Sequence, residues 1–232
     1  VNVLYRIARP IIIACNPDLC ILSFDYKANE MGVAAAFFKD TKLLSFFNSG
    51  FAYESIGIGL FNKKISPSGF KKKYPELRNF VKQLAINIIY GSGTSSIGLN
   101  GYVEKVSKNT LTFQDYQKIG VKIKKKFFEI FSELQTNLNE YVEKSQYPQN
   151  YVYSISGFKR HTTSGYKPSQ RGNFPIQASA ADILDIAIIK LSEKLPEFGA
   201  RIILSQYDAL IVECPIEQRV EVAAIVTEEM TQ

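Results

Sequence analysis

Apolar positions fall into two rhythms along the chain. Ile21-Leu22-Ser23-Phe24 is a short apolar run that ends on the carboxylate of Asp25, and Met31, Val33, Ala34 and Ala35 then begin a helix-like pattern. The spacing predicts a buried strand that delivers Asp25 to its open end. Far downstream, Arg201 to Pro215 reads as two short strands joined by a tight turn with Asp208 at its apex. Three short helices are predicted from Glu30 to Phe61, broken at Lys39-Asp40 and at Asn48-Ser49-Gly50. Pro75 suits a first helical turn, and the helix it opens runs to Tyr90, where Gly91-Ser92-Gly93 stops it.

The remaining segments are weaker in pattern. Asn62 to Lys73 is a polar stretch with five lysines, read as a loop that either is solvated or contacts phosphate. A helix-like stretch covers Ser95 to Thr110, and a long helix runs from Thr112-Phe113-Gln114-Asp115 to Lys144 with its lysines facing solvent. Tyr151 to Ile155 alternates as a strand, with a turn at Gly157-Phe158 and His161 beyond it in a surface or hydrogen-bonding role. Pro175 to Leu195 is a helix whose apolar face (Ile176, Ala180, Ile183, Leu184, Ala187, Ile188, Leu191) packs on a sheet and leaves Asn173 and Gln177 on an exposed edge. A last helix covers Ile216 to Met230.

Composition adds only bounds. With 232 residues, 46% hydrophobic and 12% aromatic, the chain can bury a sizeable core, which argues against disorder. A net charge of +6 suits an anionic partner such as nucleic acid. Cys15, Cys20 and Cys214 are odd in number, lie in apolar runs and lack metal-ligand spacing, so they read as core thiols of an intracellular protein. The run Pro10 to Cys15 is too short to cross a membrane and reads as a buried strand; no membrane partner is expected.

The chemistry lies in how these pieces are spaced. A carboxylate at a strand end is costly unless compensated, and two such aspartates on adjacent strands suit a divalent metal pair. On the helix after Pro75, the residues Arg78, Lys82, Ile86 and Tyr90 are spaced by four and form one stripe: cation, cation, apolar, aromatic. That order suits a nucleotide laid along the helix, and it equally describes an amphipathic face with both cations in water.

Four stretches together resemble family A DNA polymerases. Asp25-Tyr26 with Glu30 five residues on resembles the family's first palm motif, and Tyr207-Asp208 in its hairpin the last. Between them, Arg78 to Tyr90-Gly91 resembles the fingers helix, and Asn173 to Asp182 the palm segment that tracks the duplex. The resemblance implies an α+β fold: a palm, with an antiparallel sheet backed by helices, over 1–27 and 150–232, and a helical fingers subdomain over 28–149. A thumb and other N-terminal domains are expected ahead of this point, so the chain is expected to be a piece of a longer protein.

Function follows by the same resemblance. The implied activity is a template-directed DNA polymerase, a nucleotidyltransferase acting on primer-template DNA and deoxynucleoside triphosphates. Asp25 and Asp208 would hold two Mg²⁺ ions, with Mn²⁺ as an alternative, and the main-chain carbonyl of Tyr26 would be a further ligand. Arg78 and Lys82 would grip the triphosphate, Ile86 would lie against the sugar, and Tyr90 and Gly91 would sit where the templating base enters. Glu30 would be the steric gate against a ribose 2′-hydroxyl, hydrogen-bonded to Tyr90. Asn173 and Gln177 would contact template and primer. The sequence departs from the family at Tyr207 (usually His), Ala209 (usually a third acidic residue), Ile86 (usually aromatic), Asn87 (usually small) and Tyr53 (usually a phosphate-contacting His). The alternative function is a catalytically impaired, nucleic-acid-binding remnant; a third reading is RNA-templated or RNA-synthesising activity, of which Glu30 opposes only RNA synthesis.

Overall fold

A computed structural model describes residues 13–98, 112–163 and 165–231. Contacts divide the chain into two compact units, Val1–Lys27 with Ala180–Gln232, and Ala28–Ser179. The fold class is α+β. Residues 150–179, grouped with the palm in the sequence reading, fall in the second unit by this division.

The first unit is built on a three-stranded antiparallel sheet, β1 (Leu19–Asp25), β4 (Arg201–Gln206) and β5 (Ala209–Pro215), in the order β1-β5-β4. β5 is central and buried along five successive residues, four of them apolar and the fifth Glu213, whose carboxylate is paired with Arg201. Leu210, Val212 and Cys214 point into a core completed by Leu184, Ala187 and Leu191 and by Val222, Val226 and Met230. The latter three belong to the last helix, α10 (Arg219–Thr231), which follows a 3₁₀ turn at Ile216–Gln218. An irregularity between Ile202 and Leu204 turns Ile203 outward, where it is exposed.

Cys214 and Cys20 face each other at paired positions of this sheet with their sulfurs 3.7 Å apart, and burial pushes the Cys214 thiol up to about 11. Cys15, by contrast, is exposed, and its main-chain N–H donates to Glu213. Of the expected strand Pro10 to Cys15, only 13–15 are described; they form no strand, and Ile13 is 77% exposed. Arg6 and Arg9, a basic patch by sequence, lie outside the described residues.

The second unit is mainly helical. α1 (Asn29–Phe37), α2 (Thr41–Asn48) and α3 (Ala52–Phe61) break where the sequence says they should. Asp40 fixes the first break: its buried carboxylate accepts from Leu43 N at 2.7 Å as the cap of α2 and from Leu134 N at 2.8 Å. The expected loop from Asn62 contains a helix, α4 (Pro67–Lys73), because Ser66 caps it through Gly69 N, Pro67 occupies its first turn and Phe70 is fully buried. α5 (Pro75–Ile89) follows, then α6 (Thr94–Gly98); the rest of the helix-like stretch to Thr110 lies outside the described residues.

The long helix expected to reach Lys144 is two helices. α7 (Phe113–Ile130) starts with a capping box between Thr112 and Asp115, and α8 (Ser132–Lys144) follows. Phe131 leaves helical geometry at the junction (φ −121°, ψ 64°) and buries its ring 4.9 Å from that of Phe127. β2 (Tyr151–Tyr153) and β3 (Lys159–His161) form a hairpin, with His161 exposed.

α9 (Pro168–Lys194) begins seven residues before Pro175, which lies inside it. Pro168 is the proline that suits the helix start, and the Gln170 side chain accepts from Lys167 N at 2.8 Å to close that end. Starting earlier changes the environment of Asn173. It is half-buried rather than on an exposed edge, and among the described residues no donor reaches its enclosed side-chain oxygen; Gln177 is exposed as expected.

Candidate active site

In the first unit, register sets the geometry. Asp25 ends β1 opposite Ala209, the residue after Asp208, and the Tyr26 N–H donates to the Asp208 carbonyl at 3.1 Å. That bond ties the two aspartate-bearing segments at one end of the sheet. The turn between β4 and β5 is two residues long, with Tyr207 at φ +55° and its side chain 77% exposed. A left-handed turn residue matches the twist of a tight hairpin and presents Asp208 at the tip. Asp25 is exposed and Asp208 half-buried, so both carboxylates are reachable from solvent.

Among the described residues no group of three His, Cys, Asp or Glu side chains is placed to hold a metal. Ala209, which follows Asp208, brings no carboxylate to this end of the sheet. Two carboxylates and a main-chain carbonyl still match Mg²⁺, which takes one or two carboxylates and leaves its other positions to water and substrate phosphate.

In the second unit, α5 carries the stripe. Arg78 and Ile86 are half-buried, Lys82 is exposed, and Tyr90 caps the C-terminal end. The Tyr90 hydroxyl donates to Glu30 Oε1 at 3.1 Å. Burial first, and then the Glu30 carboxylate, hold the Tyr90 phenol far above its ordinary value of 10, so it stays protonated and remains a donor; a hydrogen bond from Gln177 acts weakly the other way. Gln177 thereby joins Glu30 and Tyr90 in one polar cluster. Glu30 sits in the first turn of α1, entered through Ala28 in a left-handed conformation (φ +58°).

Gly91 has φ +71°, and a Cβ there would come within 2.9 Å of Ser169 Cβ. Glycine is required at this point on both counts. Beside it opens a cavity of about 340 Å³ lined by Ile88, Ile89, Phe128, Leu138 and Gly172.

Arg78 does not project into water. Its Nε donates to Glu54 Oε1 at 2.5 Å, and Glu54, on α3, is only 2% exposed. The neighbouring Tyr53 ring lies 5.9 Å from both the Arg78 guanidinium carbon and Lys82 Nζ. Glu54 carries no signal in the sequence: it is 24 residues from its partner and sits in an apolar helix.

The match to known proteins extends over nearly the whole chain. The family model for DNA polymerase family A matches residues 3–232. DNA polymerase theta of Caenorhabditis elegans is 28% identical over 216 residues, covering 90% of this chain and 12% of that protein. DNA polymerase I of Caldicellulosiruptor bescii is 28% identical over 222 residues, covering 90% of this chain and 24% of that protein. The chain therefore spans a quarter or less of the length of these relatives. Among solved structures, the polymerase domain of Pol1 from M. smegmatis, in complex with DNA primer-template and dNTP, shares the fold at a TM-score of 0.73, with 22% identity, 94% of this chain and 37% of that one covered. With the family match spanning 230 positions, the chain belongs to DNA polymerase family A.

Proposed function

We propose that this chain is the palm and fingers portion of a DNA-directed DNA polymerase that adds deoxynucleotides to a primer 3′-hydroxyl. The observation that carries the reading is the joining of Asp25 and Asp208 at one end of the sheet by the Tyr26-to-Asp208 main-chain bond, in a chain of this family. The division proposed is a palm over 1–27 and 150–232 and fingers over 28–149. Primer-template DNA and deoxynucleoside triphosphates are the proposed partners.

Asp25, Asp208 and the Tyr26 carbonyl are the groups that would hold two Mg²⁺ ions. When bound, the ions activate the primer hydroxyl and neutralise charge on the transferred phosphoryl group. Lys82 and Arg78 bind the triphosphate, Lys as a point charge and Arg through its fork. Ile86 lines the sugar with an aliphatic surface. Tyr90 offers a ring face to a base, and the cavity beside Gly91 is large enough to admit one. Glu30, held by Tyr90, fills the space that a 2′-hydroxyl would need. Gln177 and Asn173 contact primer and template, Gln177 from an exposed position on α9.

Primer extension by the full-length protein tests this. Extension that requires template, deoxynucleotides and Mg²⁺ is expected, and chelation stops it. Binding of primer-template without extension would favour the non-catalytic remnant, a reading to which Ala209 at the third acidic position lends its one specific support.

A further inference from the structure

The interior of the second unit holds a carboxylate that the proposed chemistry does not use. Glu54 lies on α3 with its side chain 3% exposed, next to Ile56 and Gly57 in a helix that is otherwise mostly apolar. A buried carboxylate is costly unless paired. Its partner is Arg78, whose side chain is 20% exposed and which uses Nε for the bond. Among the described residues the two terminal guanidinium nitrogens make no hydrogen bond. An arginine gripped at Nε loses most of its freedom to rotate, yet keeps the forked edge that binds a phosphate through two parallel bonds. The Tyr53 ring beside Arg78 and Lys82 completes the setting, its centroid equidistant from both cations.

We infer that Glu54 is a positioning residue for the incoming nucleotide: it fixes the Arg78 guanidinium by Nε and presents the terminal nitrogens to the triphosphate. The inference rests on the polymerase reading above and deepens it. Charge alone would argue the opposite sign. A carboxylate beside Arg78 weakens the attraction for a triphosphate, so any benefit must come from orientation. The two roles therefore separate in the variants. Glu54→Gln keeps an acceptor for Nε and removes the charge, whereas Glu54→Leu removes the acceptor.

The test measures the Kd of dATP in a complex of the full-length protein with a dideoxy-terminated primer opposite template thymine, and the KM and kcat of single-nucleotide incorporation. Positioning predicts that Glu54→Leu raises both Kd and KM by about tenfold, the loss typical of one charge-assisted contact, with kcat nearly unchanged, while Glu54→Gln stays within about twofold of wild type. In an Arg78→Ala background, Glu54→Leu should then add nothing, because the group it positions is gone. Tighter binding in both Glu54 variants would overturn the inference in favour of simple charge attenuation. An unchanged Kd in Glu54→Leu, or an equal loss in the Arg78→Ala background, would overturn it as well, leaving a structural ion pair. A wild-type protein that binds dATP yet never extends a primer would sink the polymerase reading alone. One that binds no dATP would sink both.

Discussion

The Tyr90 hydroxyl donates to Glu30 Oε1 across 3.1 Å, tying the end of α5 to the first turn of α1. Because the Tyr90 phenol is held well above 10, this donor persists throughout the neutral range, and the Glu30 side chain is fixed rather than free to swing. Glu30→Ala should therefore lower the ratio of kcat/KM for deoxy- against ribonucleotides by about 1–3 kcal/mol, the range for single-group discrimination in a pocket. Tyr90→Phe should shift it in the same direction by less, since volume is kept and only the anchor is lost. Single-nucleotide incorporation measures both. An unchanged ratio in Glu30→Ala would move the gate elsewhere, with Ile86 the next residue to substitute.

Acid should act on the first unit through Glu213. Its carboxylate accepts from Cys15 N at 2.7 Å and from Arg201 Nε at 2.9 Å, and these contacts, the Cys15 bond foremost, hold its pKa below the ordinary 4.5. A depressed carboxylate contributes stability that is present above its unfolded value and is lost as pH falls through the folded one. Glu213→Gln should lower Tm at pH 7, with the gap to wild type closing as pH drops below 4.5. Thermal melts from pH 7 to pH 3 check this; a gap that is constant across the series would show that charge is not what Glu213 supplies.

At Gly120, α7 passes close against α6. A Cβ at that position would lie 1.7 Å from the Thr94 carbonyl oxygen, a main-chain atom that can yield only if one helix moves. Gly120→Ala should cost about 1–3 kcal/mol, as overpacking does, and lower Tm. Gly93→Ala, where nothing lies within 4 Å, serves as the control and should stay within about 0.5 kcal/mol of wild type. Equal melting temperatures for the two variants would contradict the packing of α6 on α7.

Local signals carried much of the fold into the sequence. β1 and the β4–β5 hairpin were legible because apolar runs end on aspartates, and α5 because a proline opens it and a glycine at φ +71° ends it. What escaped was set by distant partners or by competing local signals. α4 hid behind its lysines, although Ser66-Pro67 is a start signal and Phe70 an anchor. Phe131 interrupts a continuous helical pattern, leaving helical geometry with its ring buried beside Phe127, a packing relation that periodicity does not reveal. Pro175 looked like a start and is an interior residue, which is why Asn173 proved half-buried. In the site, the stripe on α5 was readable from its spacing of four, but Glu54 was not, since no periodicity links residues on separate helices.

The most direct measurement is primer extension by full-length Asp208→Asn, run beside primer-template binding on the same protein. Asn keeps the size of the side chain and removes the charge, and the main-chain bond from Tyr26 to the Asp208 carbonyl does not depend on the side chain, so the hairpin should persist. Extension below detection with primer-template affinity close to wild type is expected, and the same pattern for Asp25→Asn. Extension at near wild-type rate by either variant would contradict the assignment of the two strand-end aspartates as the metal-holding pair.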